Sequence, residues 1–148
     1  MHFLNYLITS NLKKRISKFH FDSENPLESQ NNTLINLLNK AKNTSYGKKY
    51  SFSDITNKDI FSSRIPSLTY EEFYPVILKM VEGEDNISWP GKIKWFAKSS
   101  GTTNDKSKFI PVSNEALSFN HFKAGKDLLS VYLNNYSDSK IFKGKSLA

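Results

Sequence analysis

The chain has 148 residues, 38% of them apolar and 14% aromatic, which fits one ordinary domain with a real core and argues against disorder throughout. It has no cysteine, which excludes disulfides, thiolate metal sites and cysteine nucleophiles and fits a reducing compartment. The formal net charge of +7 suits either a solvated lysine-rich surface or an anionic partner such as nucleic acid, acidic lipid or a phosphorylated small molecule.

Phe3, Leu4, Leu7, Ile8, Leu12, Ile16 and Phe19 fall on one face at helical spacing, opposite Asn11, Lys14 and Lys18. They predict an amphipathic N-terminal helix over 1–20. Such a helix either lies on a membrane surface or partner, or packs its stripe on the core; the second is the expectation. The basic cluster Lys13-Lys14-Arg15 follows the apolar residues instead of preceding them, so the segment does not read as a secretory signal. With no apolar run of membrane-spanning length, a soluble cytoplasmic protein is expected.

The run Asp22-Ser23-Glu24-Asn25-Pro26 should break the first helix, and a second should start at Pro26 or Leu27. Leu34, Ile35, Leu37, Leu38 and Ala41 are its predicted buried face, and Gly47 is placed in a left-handed turn beyond it. Residues 48–52 read as a basic, aromatic surface loop, with no further interleaving that would support nucleic acid. Residues 54–61 read as a short helix with Ile55 and Ile60 inward, and 62–67 as extended. Thr69 and Glu72 then make a capping box at the start of a helix carrying Phe73, Val76, Ile77 and Met80, with Pro75 inside it and Gly83 at its end. Trp89-Pro90-Gly91 is a turn signal. After it, residues 93–98 predict a strand, and a second apolar run ends at Pro111. Ser113 should cap a long helix to about residue 136, with Leu117, Phe119, Phe122, Leu128, Leu129 and Tyr132 on its apolar side. Residues 140–148 read as a strand or hairpin arm. His2, His20 and His121 have no partners at metal-ligand spacing, so no metal site is assigned.

The chemistry concentrates between the two strands, in Ser99-Ser100-Gly101-Thr102-Thr103-Asn104-Asp105-Lys106-Ser107-Lys108. Backbone N–H groups and short hydroxyls donate to phosphate oxygens, glycine permits close approach, and lysine adds a mobile positive charge. The stretch is not a Walker loop, which needs a second glycine and an immediate helix, and it lacks the dinucleotide and nucleophile-elbow patterns. A plain Ser/Thr-rich hairpin loop is the structural alternative.

Ser99-Ser100-Gly101-Thr102-Thr103, then Lys108 and Phe109-Ile110-Pro111, resembles the first motif of adenylate-forming enzymes. The match is closest to the auxin-responsive-promoter family of acyl-acid amido synthetases. Thr44, then Tyr46-Gly47-Lys48, the segment from Pro66 to Tyr70, Pro75 and Gly83 agree with it. The resemblance implies a mixed α/β fold, with the chain as a single partial domain: the N-terminal part of the large domain, in which helices precede a strand–loop–strand unit and a long helix. It implies ATP-dependent activation of a carboxylic acid, usually with Mg2+, then amide ligation to an amino acid or amine. By position, Ser99, Ser100, Gly101, Thr102 and Thr103 would cradle the ATP phosphates in a P-loop-like motif. Lys108, at the motif's catalytic lysine position, would offset phosphate charge. Asp105 stands where the family usually has glycine, and Lys106 beside it can compensate. Enzymes of this family are several times longer, so the chain is expected to carry the phosphate loop without completing the reaction alone. The other readings are a non-catalytic basic binding module and a truncated remnant.

Overall fold

The computed structural model describes residues 15–99, 107–136, 138, 139 and 141, and these are mixed α/β. They divide into two compact units. One is Leu27–Ala116; the other joins the described residues up to Pro26 to those from Leu117 onward.

In the first unit, helix α2 (Pro26–Ala41) opens on proline, with Glu28 in its first turn and Lys40 in its last, each complementing the helix dipole. Leu38 and Ala41 are buried, and Leu34 and Ile35 half-buried. Leu37, expected inside, lies at the margin of that stripe and is exposed. The buried Thr44 closes the helix: its hydroxyl donates to Ala41 O (2.7 Å) and accepts from Gly47 N–H (3.0 Å). That second bond caps α3 (Ser45–Lys49), so Lys48 and Lys49 are helical instead of lying in a loop.

Gly47 is not in the left-handed region; it is helical, and a Cβ there would lie 2.1 Å from Ala41 O. Its glycine is required by close approach, not by a turn. Ser45 N–H and Tyr46 N–H donate to Asn86 O and Ile87 O, at 2.8 and 2.9 Å. Tyr46 also meets the rings of Tyr50, Phe52 and Phe73. Burial, with Tyr50 adding to it, pushes its phenol above the ordinary value.

A 3-10 turn (Phe52–Asp54) leads to α4 (Lys58–Arg64). This helix begins later than expected because Asn57 caps it, accepting from Ile60 N–H at 2.9 Å. Ile55 is buried ahead of the helix rather than within it. Helix α5 (Tyr70–Val81) has the full capping box, Thr69 accepting from Glu72 N–H and Glu72 from Thr69 N–H, and it continues through Pro75. It ends in a Schellman turn: Glu84 N–H reaches Lys79 O and Gly83 N–H reaches Met80 O, with Gly83 at φ +90°.

Ile77 and Met80 from α5 are buried with Ile87 and Ile93, and Tyr70, Phe73, Val76, Trp89 and Phe96 pack around them. Each such aliphatic side chain contributes about 1.5–3 kcal/mol when removed from water. The turn between α5 and the sheet is closed by Asn86, whose N–H donates to Gly91 O and whose side chain accepts from Gly91 N–H.

Strands β1 (Trp95–Lys98) and β2 (Phe109–Val112) form an antiparallel pair with Trp95 opposite Val112 and Lys98 opposite Phe109. Pro111 does not stop β2 but lies inside it, opposite Phe96. A proline is tolerated where its missing N–H is not needed by the ladder, as on an outer strand edge.

In the second unit, α1 covers residues 15–24, continuing past the expected end at residue 20. The polar residues there are absorbed locally. Ser23 Oγ donates to His20 O, and Lys18 pairs with Asp22 one turn on. Residues 1–14 of the expected N-terminal helix lie outside the described residues. Phe19, predicted on the core-facing stripe, is 52% exposed.

After the Ser113 cap, which accepts from Ala116 N–H at 3.0 Å, the chain makes a π-helical turn (Ala116–His121) before α6 (Phe122–Asn135). This changes the buried face. Ser130 and Leu133 are buried, whereas Phe119, Phe122, Leu128 and Tyr132 are exposed and Leu117 and Leu129 half-buried. The wider π turn shifts register against the 3.6-residue pattern from which the apolar side was predicted. The predicted strand or arm over 140–148 falls, but for Ile141, outside the described residues.

Candidate functional site

The sheet register continues one pair beyond the strands. Ser99 N–H donates to Lys108 O at 3.0 Å, and Lys108 N–H donates to Ser99 Oγ at 3.1 Å. This closes a stem around residues 100–107. Ser99 and Lys108 are therefore brought together, at the mouth of the loop. Ser100, Gly101, Thr102 and Thr103, together with Asp105 and Lys106, lie outside the described residues.

The Lys108 side chain reaches back to the first turn of α5. Its ammonium is 3.6 Å from Glu71 Oε1 and 4.8 Å from the centre of the Tyr70 ring. The Tyr70 hydroxyl accepts from Phe109 N–H at 2.9 Å and approaches Phe109 O at 3.4 Å. The stem is thus held from both sides: by the Ser99 pair at Lys108 itself, and by Tyr70 at the next residue. Tyr70 entered the sequence reading only as the end of the Pro66–Tyr70 segment, and neither it nor Glu71 was placed beside Lys108. They lie in a capped helix start, and nothing local indicates that β2 docks there.

Both members of the Lys108–Glu71 pair are open to water, with side-chain exposures of 49% and 73%. Exposed ion pairs of this kind contribute between about 0 and 1 kcal/mol. Among the described residues there is no group of three or more His, Asp or Glu side chains able to hold a metal ion.

A concavity of about 550 Å³ lies in the other unit and is lined by Arg15, Lys18, Phe19, Asp22, Ser23, Lys123 and Asp127. Arg15 Nε donates to Asp127 Oδ1 at 2.8 Å, Lys123 pairs with the other oxygen, and Lys18 pairs with Asp22. Each of its three cations pairs with one of its two carboxylates, which leaves one positive charge in excess, and none of the predicted site residues line it.

Two paired strands preceded by helices, with Ser99 and Lys108 bonded just beyond the strand ends, agree with the strand pair that the motif predicts. Residues 15–148 match the GH3 family N-terminal domain. The chain belongs to the GH3 family, the family to which the Ser99–Pro111 resemblance pointed. It is 32% identical over 89 residues to the probable indole-3-acetic acid-amido synthetase GH3.1 of Arabidopsis thaliana, covering 60% of this chain and 15% of that protein. It is 30% identical over 96 residues to the Arabidopsis indole-3-acetic acid-amido synthetase GH3.2, covering 64% of this chain and 18% of that protein. A longer match, 26% identical over 140 residues, is to the jasmonoyl–L-amino acid synthetase GH3.5 of Oryza sativa subsp. japonica, covering 91% of this chain and 23% of that protein. The chain therefore spans less than a quarter of the length of these relatives. Of the upstream residues that shared the resemblance, Thr44, Tyr46 and Gly47 build the α2–α3 corner and do not approach the loop stem through any bond described above.

Proposed function

We propose that the chain supplies the nucleotide-phosphate loop of an acyl-acid amido synthetase and is one partial domain of a longer enzyme. Membership of the GH3 family carries this reading, and the relatives' names give its chemistry: carboxylic acids such as indole-3-acetic acid or jasmonate joined to an amino acid. In the first step the acid's carboxylate attacks the α-phosphorus of ATP, and the bond to pyrophosphate breaks. In the second an amine attacks the acyl carbon, a proton leaves, and AMP departs from the acyl group.

Within that sequence, this chain's part is to bind and orient the triphosphate. Ser99, Ser100, Gly101, Thr102 and Thr103 donate hydrogen bonds to its oxygens, and Lys108 offsets its charge, which is positioning and electrostatic stabilisation rather than bond chemistry. The described residues do not form a metal cage. Mg2+ is assigned on the resemblance alone and is expected with the phosphates, in keeping with its habit of binding through them and few carboxylates. No helix among the described residues is long and apolar enough to cross a membrane. A cytoplasmic location remains the expectation from the sequence.

The test has two arms. Isothermal titration of Mg·ATP into the chain should show binding, weakened about tenfold or more in Ser100→Ala/Thr102→Ala. Such a loss is that of one or two charge-assisted hydrogen bonds. Undiminished binding in the double variant would overturn the assignment of the loop. ATP–pyrophosphate exchange with a panel of carboxylic acids should give no turnover by the 148-residue chain; exchange would overturn its incompetence alone.

A further inference from the structure

We infer that Tyr70 and Glu71 are positioning residues for Lys108: they hold its ammonium in a parked site beside the loop stem, from which a nucleotide phosphate must take it. The inference rests on the phosphate reading above. It adds two residues from outside the loop and a direction to their effects.

Three observations carry it. The Tyr70 hydroxyl grips the main chain of Phe109, the residue after Lys108, through an N–H bond of 2.9 Å. The face of the same ring lies 4.8 Å from the Lys108 ammonium, within the range where an aromatic face attracts a cation. The next residue along α5, Glu71, presents its carboxylate to that ammonium at 3.6 Å. Two successive residues therefore fix the backbone beside Lys108 and the tip of its side chain.

The hydroxyl and the carboxylate act in opposite directions on a ligand. The Tyr70–Phe109 bond pre-sets the start of β2 and so aids any ligand that needs the stem closed. The Glu71 carboxylate competes with phosphate for the same ammonium. Because Lys108 and Glu71 are both substantially exposed, the hold is weak and reversible. A triphosphate carries several negative charges against one on the carboxylate, so it wins the lysine.

The test uses the full chain, with ATP as the probe and the Lys108 methylene protons followed by NMR. Without nucleotide, these protons should show an upfield ring-current shift from Tyr70. The shift should vanish in Tyr70→Leu, persist in Tyr70→Phe, and be lost from the wild-type chain on adding ATP. Glu71→Gln should tighten ATP binding about two- to fivefold, the scale of an exposed ion pair. In a Lys108→Ala background it should have no effect, a coupling that a general loss of helix stability would not produce. Tyr70→Phe should weaken binding to a similar extent, with Phe109 N–H losing protection from hydrogen exchange.

ATP binding that Glu71→Gln leaves unchanged, while Lys108→Ala still weakens it, would overturn the parking and leave the phosphate reading standing. No ATP binding by any variant would overturn the phosphate reading and the release step together, with the nucleotide-free ring-current shift marking that case apart.

Discussion

Around α5, Ile77, Met80, Ile87 and Ile93 are at most 7% exposed, whereas in the adjoining hairpin Trp95 and Ile110 keep 61% and 51% of their surface in water. The first region is fixed by apolar burial, a capping box and a Schellman turn. The second touches it through the half-buried Phe96 and through the polar bonds of Tyr70 to Phe109. The contrast is that of a packed core and a hairpin held on its surface.

Substitutions in the two regions should therefore separate by size. Met80→Ala removes a side chain that is 1% exposed at the centre of the core. It should cost about 2–5 kcal/mol by urea denaturation, the range for large-to-small core changes; a cost under about 1 kcal/mol would erase the distinction. Trp89→Phe keeps an aromatic side chain, smaller than the indole, and removes the indole N–H that donates to Glu115 at 3.1 Å. A loss of about 1–2 kcal/mol is expected from the same denaturation curves. Thr69→Ala removes the α5 cap and should cost about 1 kcal/mol. Trp95→Ser and Ile110→Ser, on the hairpin, should each stay within about 0.5 kcal/mol of the unmodified chain. A large loss there would mean that the hairpin is part of the core's cooperative unit.

Acid provides a finer comparison. The Glu72 carboxyl is held below the ordinary carboxylate range by the backbone N–H of Thr69 and then by its hydroxyl. Glu115 is held below it by its own backbone N–H, then by the Trp89 indole, with Lys40 and Ser113 adding to the effect. Both folded-state values are depressed, so their stabilisation is present above the unfolded value of about 4.3 and is lost as pH falls through the folded values. Stability measured between neutral pH and pH 3 should fall on the acid side. The fall should be shallower in Trp89→Phe and in Thr69→Ala, each of which removes a cause of one shift.

The sequence was most legible where the cause was local. Thr69 with Glu72, Gly83 after Met80, and Trp89-Pro90-Gly91 each satisfy backbone groups within a few residues, and the helix and turns they predict are present. It was least legible where a distant segment supplied the reason. Gly47 was read as a turn residue because its true constraint, the Ala41 carbonyl, is visible only once α2 and α3 have met. The inward face of α6 was misplaced because helical periodicity was carried through a π turn. Of the candidate site, Ser99 and Lys108 were legible from the motif and are paired across the stem, but the company Lys108 keeps was not.

By itself the sequence determined the family, the mixed α/β class, the capped α5 and the two strands within Trp95–Val112. Those follow from residue type at fixed local spacing, where hydrogen-bonding and steric preferences act within a few residues. Only the tertiary structure decided that Tyr70 and Glu71 meet Lys108. A phenol's bond to a backbone amide 39 residues away depends on how β2 docks against α5, and no local preference of either segment encodes that approach.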